Sequence, residues 1–234
     1  RRSGLDRVNP DRVHELMLTS PFNYDEQVLL AVPSFLPDPS SPDYKTELSE
    51  LVRALGEQKK GTLGLFTSYV LLRQVYDALR DPLQLEQVPL LGQGIDGSRH
   101  ALINRFNEGG AVLLGTDSFW EGVDVPGDAL QYVVITKLPF DVPTDPVFQA
   151  RSEQIKARGG NPFMEFSVPE AVIRFRQGFG RLIRRRSDFG VVLITDTRVH
   201  TKRYGKVFLR SLPARAQTFA EKDVLFATLH NWFK

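Results

Sequence analysis

Four arginines in six positions, Arg181, Arg184, Arg185 and Arg186, follow Gln177, Gly178 and Gly180. Guanidinium groups are planar, permanently charged and rich in donors, so a set of them suits phosphate or carboxylate oxygens. At about 100° per residue, Arg174, Gln177, Arg181 and Arg184 share one helical face. Val172, Phe175, Phe179, Leu182 and Ile183 share the opposite one. The pattern predicts a helix over 169–186 that buries its aromatic side and presents a row of cations with one amide. Each glycine lowers helix propensity by about 1 kcal/mol relative to Ala, so close approach of a ligand or a second backbone is the physical reason to lack a Cβ there. A merely solvated basic face is the competing explanation.

A second set of candidate groups lies where strands end. Thr67 and Ser68 stand at a predicted helix start, where free N–H groups and the helix dipole can hold a phosphate, or simply cap the helix. Tyr69 could stack on a base, or pack into the core. The segment from Gly115 to Gly127 packs three acids, two hydroxyls, two aromatics and three glycines into thirteen residues. Within it Asp124 could accept a ribose hydroxyl or couple to a cation, or close a turn. Leu138-Pro139-Phe140 opens a loop stiffened by three prolines, which structure explains as well as function does.

The elements that would position these groups alternate. Short continuous apolar runs (28–32, 61–66, 88–91, 111–115, 130–138, 190–195) are predicted strands, and they alternate with helices over 44–58, 69–80, 98–107, 145–158 and 169–186. That pattern implies an α/β fold, with a mostly parallel sheet covered by helices on both faces. In such sheets ligands sit at the carboxyl ends of strands, which directs attention to the residues after Phe66, Leu114, Leu138 and Ile194. The last is undistinguished: Thr195-Asp196 reads as a turn cap. Three units are expected: an irregular lead-in over 1–27, one α/β domain over 28–210 and a helical tail over 211–234.

Composition narrows the chemistry. The 234 residues carry 30 Lys+Arg against 28 Asp+Glu, a net charge of +2, so any basic surface is local. From Arg174 to Arg186 there are six arginines and no acid. With no cysteine, the chain has no disulfide, thiolate metal site, iron–sulfur ligand or Cys nucleophile of its own. No apolar run is long enough to span a membrane, and a soluble, cytoplasmic chain is the expectation. The sequence contains no Gly-x-x-x-x-Gly-Lys-Ser/Thr and no Gly-x-Gly-x-x-Gly after a strand, and its four histidines are scattered without metal spacing.

Taken together, the segments resemble the second RecA-like domain of a superfamily 2 DNA helicase, of the DinG/XPD-like branch. Leu65-Phe66-Thr67-Ser68-Tyr69 resembles that family's motif IV. Gly115 to Gly127, centred on Phe-Trp-Glu-Gly-Val-Asp, resembles motif V. Gln177 to Arg184 resembles motif VI, and Ser20-Pro21-Phe22-Asn23-Tyr24 and Leu138-Pro139-Phe140 match further family patterns. The similarity runs from about Thr19 to about Arg198.

The resemblance implies a motor in which two RecA-like domains clamp ATP and Mg2+. Arg181 and Arg184 would act as arginine fingers, and Gln177 would contact the phosphate or its attacking water. Glu121, Gly122 and Asp124 would lie at the nucleotide edge. Thr67, Ser68, Tyr69 and Thr116 would hold single-stranded DNA. It also implies that the P-loop, the Asp-Glu-x-His box and any iron–sulfur cluster belong to a first domain, without which this half is inactive as an ATPase. The family's usual polarity is 5′ to 3′, and attachment to the nucleoid would follow in a bacterium. Two other readings remain open: a stand-alone nucleic-acid-binding module, and an unrelated α/β enzyme whose arginines bind an acidic metabolite.

Overall fold

Chains of Val, Leu and Ile too short for a helix and apolar on both sides are stable only as strands covered on both faces. In the computed structural model, which describes residues 8–9, 12–14, 16, 20–121, 127–141 and 145–234, they form one parallel sheet. Among the described residues its strands are β1 (Val28–Pro33), β2 (Thr62–Leu65), β3 (Leu90–Gly92), β4 (Val112–Gly115), β5 (Tyr132–Ile135), β6 (Gly190–Ile194) and β7 (Ala216–Phe219). Their order across the sheet is β3-β4-β2-β5-β6-β1-β7. Every residue of β1, β2, β4, β5 and β6 is buried, whereas the edge strands β3 and β7 are partly open.

The helices are α1 (Tyr24–Gln27), α2 (Tyr44–Gly56), α3 (Tyr69–Leu85), α4 (Arg99–Phe106), α5 (Asp117–Trp120), α6 (Pro146–Ala157), α7 (Val168–Phe179), α8 (Arg198–Thr201), α9 (Gly205–Arg210) and α10 (Lys222–Trp232). Alternation along the strands sorts the core into two layers. Leu30, Leu63, Leu113, Val133 and Val192 point to one face, where Phe106, Phe175 and Phe208 from α4, α7 and α9 cover them. Leu29, Val112, Leu114, Val134 and Leu193 point to the other, beneath Leu48, Leu72, Val75 and Leu225 from α2, α3 and α10.

Three sequence expectations need correction. The arginine-rich helix ends at Phe179, not at residue 186, so Arg181 and Arg184 do not continue its face. Gly180 caps it, its N–H returning to the Arg176 carbonyl at 2.9 Å, and Arg181 and Leu182 follow in turn conformation. The long strand expected over 130–138 pairs only from Tyr132 to Ile135. Beyond it the Leu138 amide leaves the ladder to donate to the Asp196 carboxylate at 2.8 Å. Residues 211–234 are not wholly helical: β7 forms there and pairs in parallel with β1.

Buried phenols give this fold an alkaline limit. Tyr44, Tyr76, Tyr132 and Tyr204 all hold their protons above the ordinary pKa of 10.0, burial being the first cause in each. Tyr76 is pushed up to about 12 by burial and by its hydrogen bond to Asp96. Groups with raised folded pKa values leave the folded state holding more protons than the unfolded one above about pH 10. Their contribution is complete below that pH and is lost as pH climbs through the folded values. Urea unfolding from pH 9 upward is expected to show stability falling beyond about pH 10, and falling less steeply in Tyr132→Phe.

Candidate functional site

The carboxyl ends of β2 and β4 lie side by side. Leu65 pairs with Gly115, and the Phe66 amide donates to the Gly115 carbonyl at 2.8 Å. Thr67 and Thr116 therefore leave the sheet as neighbours, both half-buried. Ser68 caps α3, its hydroxyl accepting from the Leu71 amide at 3.4 Å. Tyr69 is exposed, with its hydroxyl donating to the Gly94 carbonyl, so its ring is not part of the core. Thr116 is tied down by Gln93, whose Oε1 accepts from both the Thr116 amide (2.7 Å) and its hydroxyl (3.1 Å). Gln93 follows β3 and carries no motif or periodicity that would single it out.

One residue links these strand ends to the arginine helix. Trp120, the last residue of α5, is 2% exposed, and its indole N–H donates to the Phe66 carbonyl at 2.9 Å. Its ring lies against Gly178 of α7, where a Cβ would come within 2.8 and 2.9 Å of ring carbons and within 3.1 Å of Leu65. The close approach at Gly178 is to a side chain and not to the ligand or second backbone expected from sequence: a Cβ there would push α7 off the ring. The three segments resembling motifs IV, V and VI meet at this point.

The arginines are arranged by the backbone around them. Arg174 pairs with Asp141 at 2.5 Å and lines a pocket with Thr67 and Asp117. Gln177 occupies the last turn of α7, and its Oε1 is buried with no hydrogen-bond partner among the described residues. Arg181 is half-buried and its Nε donates to the Gln177 carbonyl at 3.1 Å. Arg184 is also half-buried, while Arg185 and Arg186 are exposed. A fully solvated row is therefore not what the molecule presents. The turn carrying Arg184 enters β6 at its amino end, so the rule of looking at carboxyl ends finds Thr67 and Thr116 but not the arginines.

Glu121 is exposed, and its carbonyl accepts from Arg99 at 3.2 Å. Gly122 and Asp124 lie outside the described residues. Among the described residues no group of three His, Cys, Asp or Glu is placed to hold a metal, and no helix is long and apolar enough to cross a membrane. Asp196, read from sequence as a turn cap, is a fully buried carboxylate. It accepts from the Leu138 amide and, at 2.9 and 2.6 Å, from the Arg198 guanidinium, so it fixes the loop that begins Leu138-Pro139-Phe140. Beside it, burial and then the nearby Arg198 charge hold the Lys137 ammonium below its ordinary pKa.

Residues 51–215 match the helicase C-terminal domain family. The chain belongs to that family. It is 42% identical over 214 residues to the ATP-dependent DNA helicase YoaA of Haemophilus influenzae, covering 91% of this chain and 33% of that protein. It is 39% identical over 218 residues to the protein named 3′-5′ exonuclease DinG of Bacillus subtilis, covering 91% of this chain and 23% of that one. The chain thus spans a third or less of the curated relatives it matches. Among solved structures, an XPD helicase superposes with a TM-score of 0.63 at 19% identity, over 82% of this chain and 35% of that chain. Dbp5 of S. cerevisiae bound to RNA and ADP BeF3 superposes with a TM-score of 0.56 at 19% identity, over 100% of this chain and 52% of that one. At such identities these likenesses speak to fold alone, and the fold is the RecA-like α/β arrangement expected from sequence.

In this helicase C-terminal domain the Gly178–Trp120 contact should be intolerant of even one methyl. Gly178→Ala gains about 1 kcal/mol of helix propensity, but its Cβ meets a ring that the Phe66 carbonyl holds in place, and overpacking costs about 1–3 kcal/mol. Net destabilisation in urea, with a changed tryptophan emission, is the expected result.

Proposed function

We propose that the chain is the second motor half of an ATP-dependent DNA helicase of the DinG/XPD-like branch. The observation that carries the reading is the joint at Trp120, which places the Thr67 and Thr116 strand ends and the Gln177–Arg184 segment on one rigid support. A motor needs such a support, because a nucleotide change at the arginines must be felt where nucleic acid is held. Family membership weighs against the metabolite-binding reading.

In this proposal ATP and Mg2+ are held mainly by a first RecA-like domain, which also brings the P-loop, the Asp-Glu-x-His box and, where present, an iron–sulfur cluster. Arg181 and Arg184 come to the γ-phosphate when the domains close and neutralise the charge that develops on the transferred phosphoryl group. Gln177, on the last turn of α7 with its carbonyl bonded to Arg181, contacts the phosphate or its attacking water. Glu121, Gly122 and Asp124 line the nucleotide edge. Thr67, Ser68, Tyr69 and Thr116 hold the single-stranded backbone through hydroxyls, helix-end amides and one exposed ring, contacts that carry no sequence information. The motor moves 5′ to 3′ and works in the cytoplasm, at the nucleoid in a bacterium.

Two measurements test the proposal. Alone, the domain should show no ATP turnover. In the protein that also carries the first domain, Arg184→Ala and Arg181→Ala should each lower DNA-stimulated kcat by about 10²–10³-fold. Unchanged turnover in both variants would remove the arginine-finger role. Thr67→Ala combined with Thr116→Ala should weaken single-strand binding alike for all base compositions, measured by fluorescence anisotropy at fixed salt. A loss confined to particular sequences would contradict backbone holding.

A further inference from the structure

The turn that carries Arg184 is held from two sides by residues far apart in the chain. From within, Asp188 is 5% exposed, and its Oδ2 accepts from the consecutive amides of Arg184 (2.9 Å) and Arg185 (2.7 Å). The Asp188 amide in turn donates to the Arg185 carbonyl at 3.1 Å. From without, Gln27 reaches in from the end of α1. Its Nε2 donates to the carbonyls of Arg186 (3.1 Å) and Asp188 (2.8 Å), while its Oε1 accepts from the Asn23 amide at 2.9 Å. Only one orientation of that amide satisfies all three, since the flipped one would face two carbonyls with an oxygen.

The same short segment also touches the near side of the arginines. The Tyr24 ring lies 5.9 Å from that of Phe179, the last residue of α7, and Phe22 meets Tyr24 edge to face at 6.0 Å. α1 itself has four residues and none buried, too little to be a helix unaided. It exists because it is fastened to Phe179 on one side of Arg181–Arg184 and to Arg186 and Asp188 on the other. Gln27 runs directly into Val28, which pairs with Gly190, so the clasp also sits at the root of β1 and β6.

We infer that Gln27 and Asp188 are positioning residues: together they make the place of Arg184 depend on the segment that enters β1. The inference rests on reading Arg184 as the phosphate-contacting arginine. In the two-domain motor, chain arriving from the first domain passes through this clasp, so a shift of one domain against the other reaches the arginine turn through covalent chain as well as across the cleft.

The test uses the protein that includes the first domain and reads DNA-stimulated ATP turnover. Gln27→Glu keeps the shape but replaces two donors by a carboxylate facing two carbonyls. It should lower kcat by about 10- to 100-fold, the order expected when a catalytic group is displaced by about an ångström, with KM for ATP little changed. Asp188→Ala should do the same, and Asp188→Asn, which still accepts from both amides, should stay within about twofold of the parent. Gln27→Glu should also lower the thermal midpoint, since the Arg186 and Asp188 carbonyls lose their donor, so turnover is compared well below the midpoint of every variant. In an Arg184→Ala background, Gln27→Glu should have no further effect on kcat, since the group it positions is gone.

Normal kcat in Gln27→Glu and Asp188→Ala, with Arg184→Ala impaired, overturns the positioning role and leaves the arginine reading intact. The same fractional loss with and without Arg184 overturns it too, because the damage would then be general. If Arg184→Ala itself turns over normally, the arginine reading falls and takes this inference with it.

Discussion

The contact on which this domain's working parts depend is an indole ring pressed onto a backbone that has no side chain. Trp120 is anchored at one edge by the Phe66 carbonyl, and its face is met by Gly178. Neither half suffices. The hydrogen bond fixes the ring's tilt, and the missing Cβ lets a whole helix settle onto it. Protein interiors transmit displacement because they are packed to crystal density. A nudge on α7 therefore arrives at the ends of β2 and β4 with little lost, across a boundary between segments far apart in sequence.

Much of this was legible beforehand, and the reason is periodicity. Buried parallel strands announce themselves as unbroken apolar runs, so β1, β2, β4 and β6 fall almost where Val28, Leu63, Leu113 and Val191 place them. One cap announces itself too: Ser68 accepts from an amide three residues on, while Ser98 and Asp145, expected as the first residues of their helices, turn out to cap them in the same way. The glycines at 178 and 180 were read as sitting inside one helix and admitting a ligand or a second backbone, and the structure gives them two other tasks. Gly178 admits the indole, and Gly180 ends the helix. The error was to run the 3.6-residue pattern through them. Arg181 and Arg184 do fall on one helical face arithmetically, but there is no helix there to carry it.

What sequence reasoning missed is of one kind. Gln27, Gln93, Asp188 and Asp196 each work by binding a backbone group, two of them across 159 residues in one case and 58 in another. A lone polar residue that satisfies a distant amide leaves no trace in hydropathy, because its partner is not a residue type at all. A buried acid such as Asp196 or Asp188 looks in sequence like any turn residue. Only the fold reveals that the turn belongs to another loop, and that two amides or a guanidinium converge on it.

The place of β1 in the sheet has a consequence for how the molecule comes into being. Among the described residues the first of the seven strands in chain order ends up between β6 and β7, the last two. It has no partner until the chain has reached Gly190, and its second edge stays open until Ala216 has emerged. The family's own boundaries, 51 to 215, leave out both β1 and β7. A polypeptide cut there would expose one full edge of β6, a run of glycine, valine, leucine and isoleucine with its backbone unpaired, the sort of edge that recruits other chains. In the longer chain β1 covers that edge of β6, and β7 with α10 behind it covers β1 in turn.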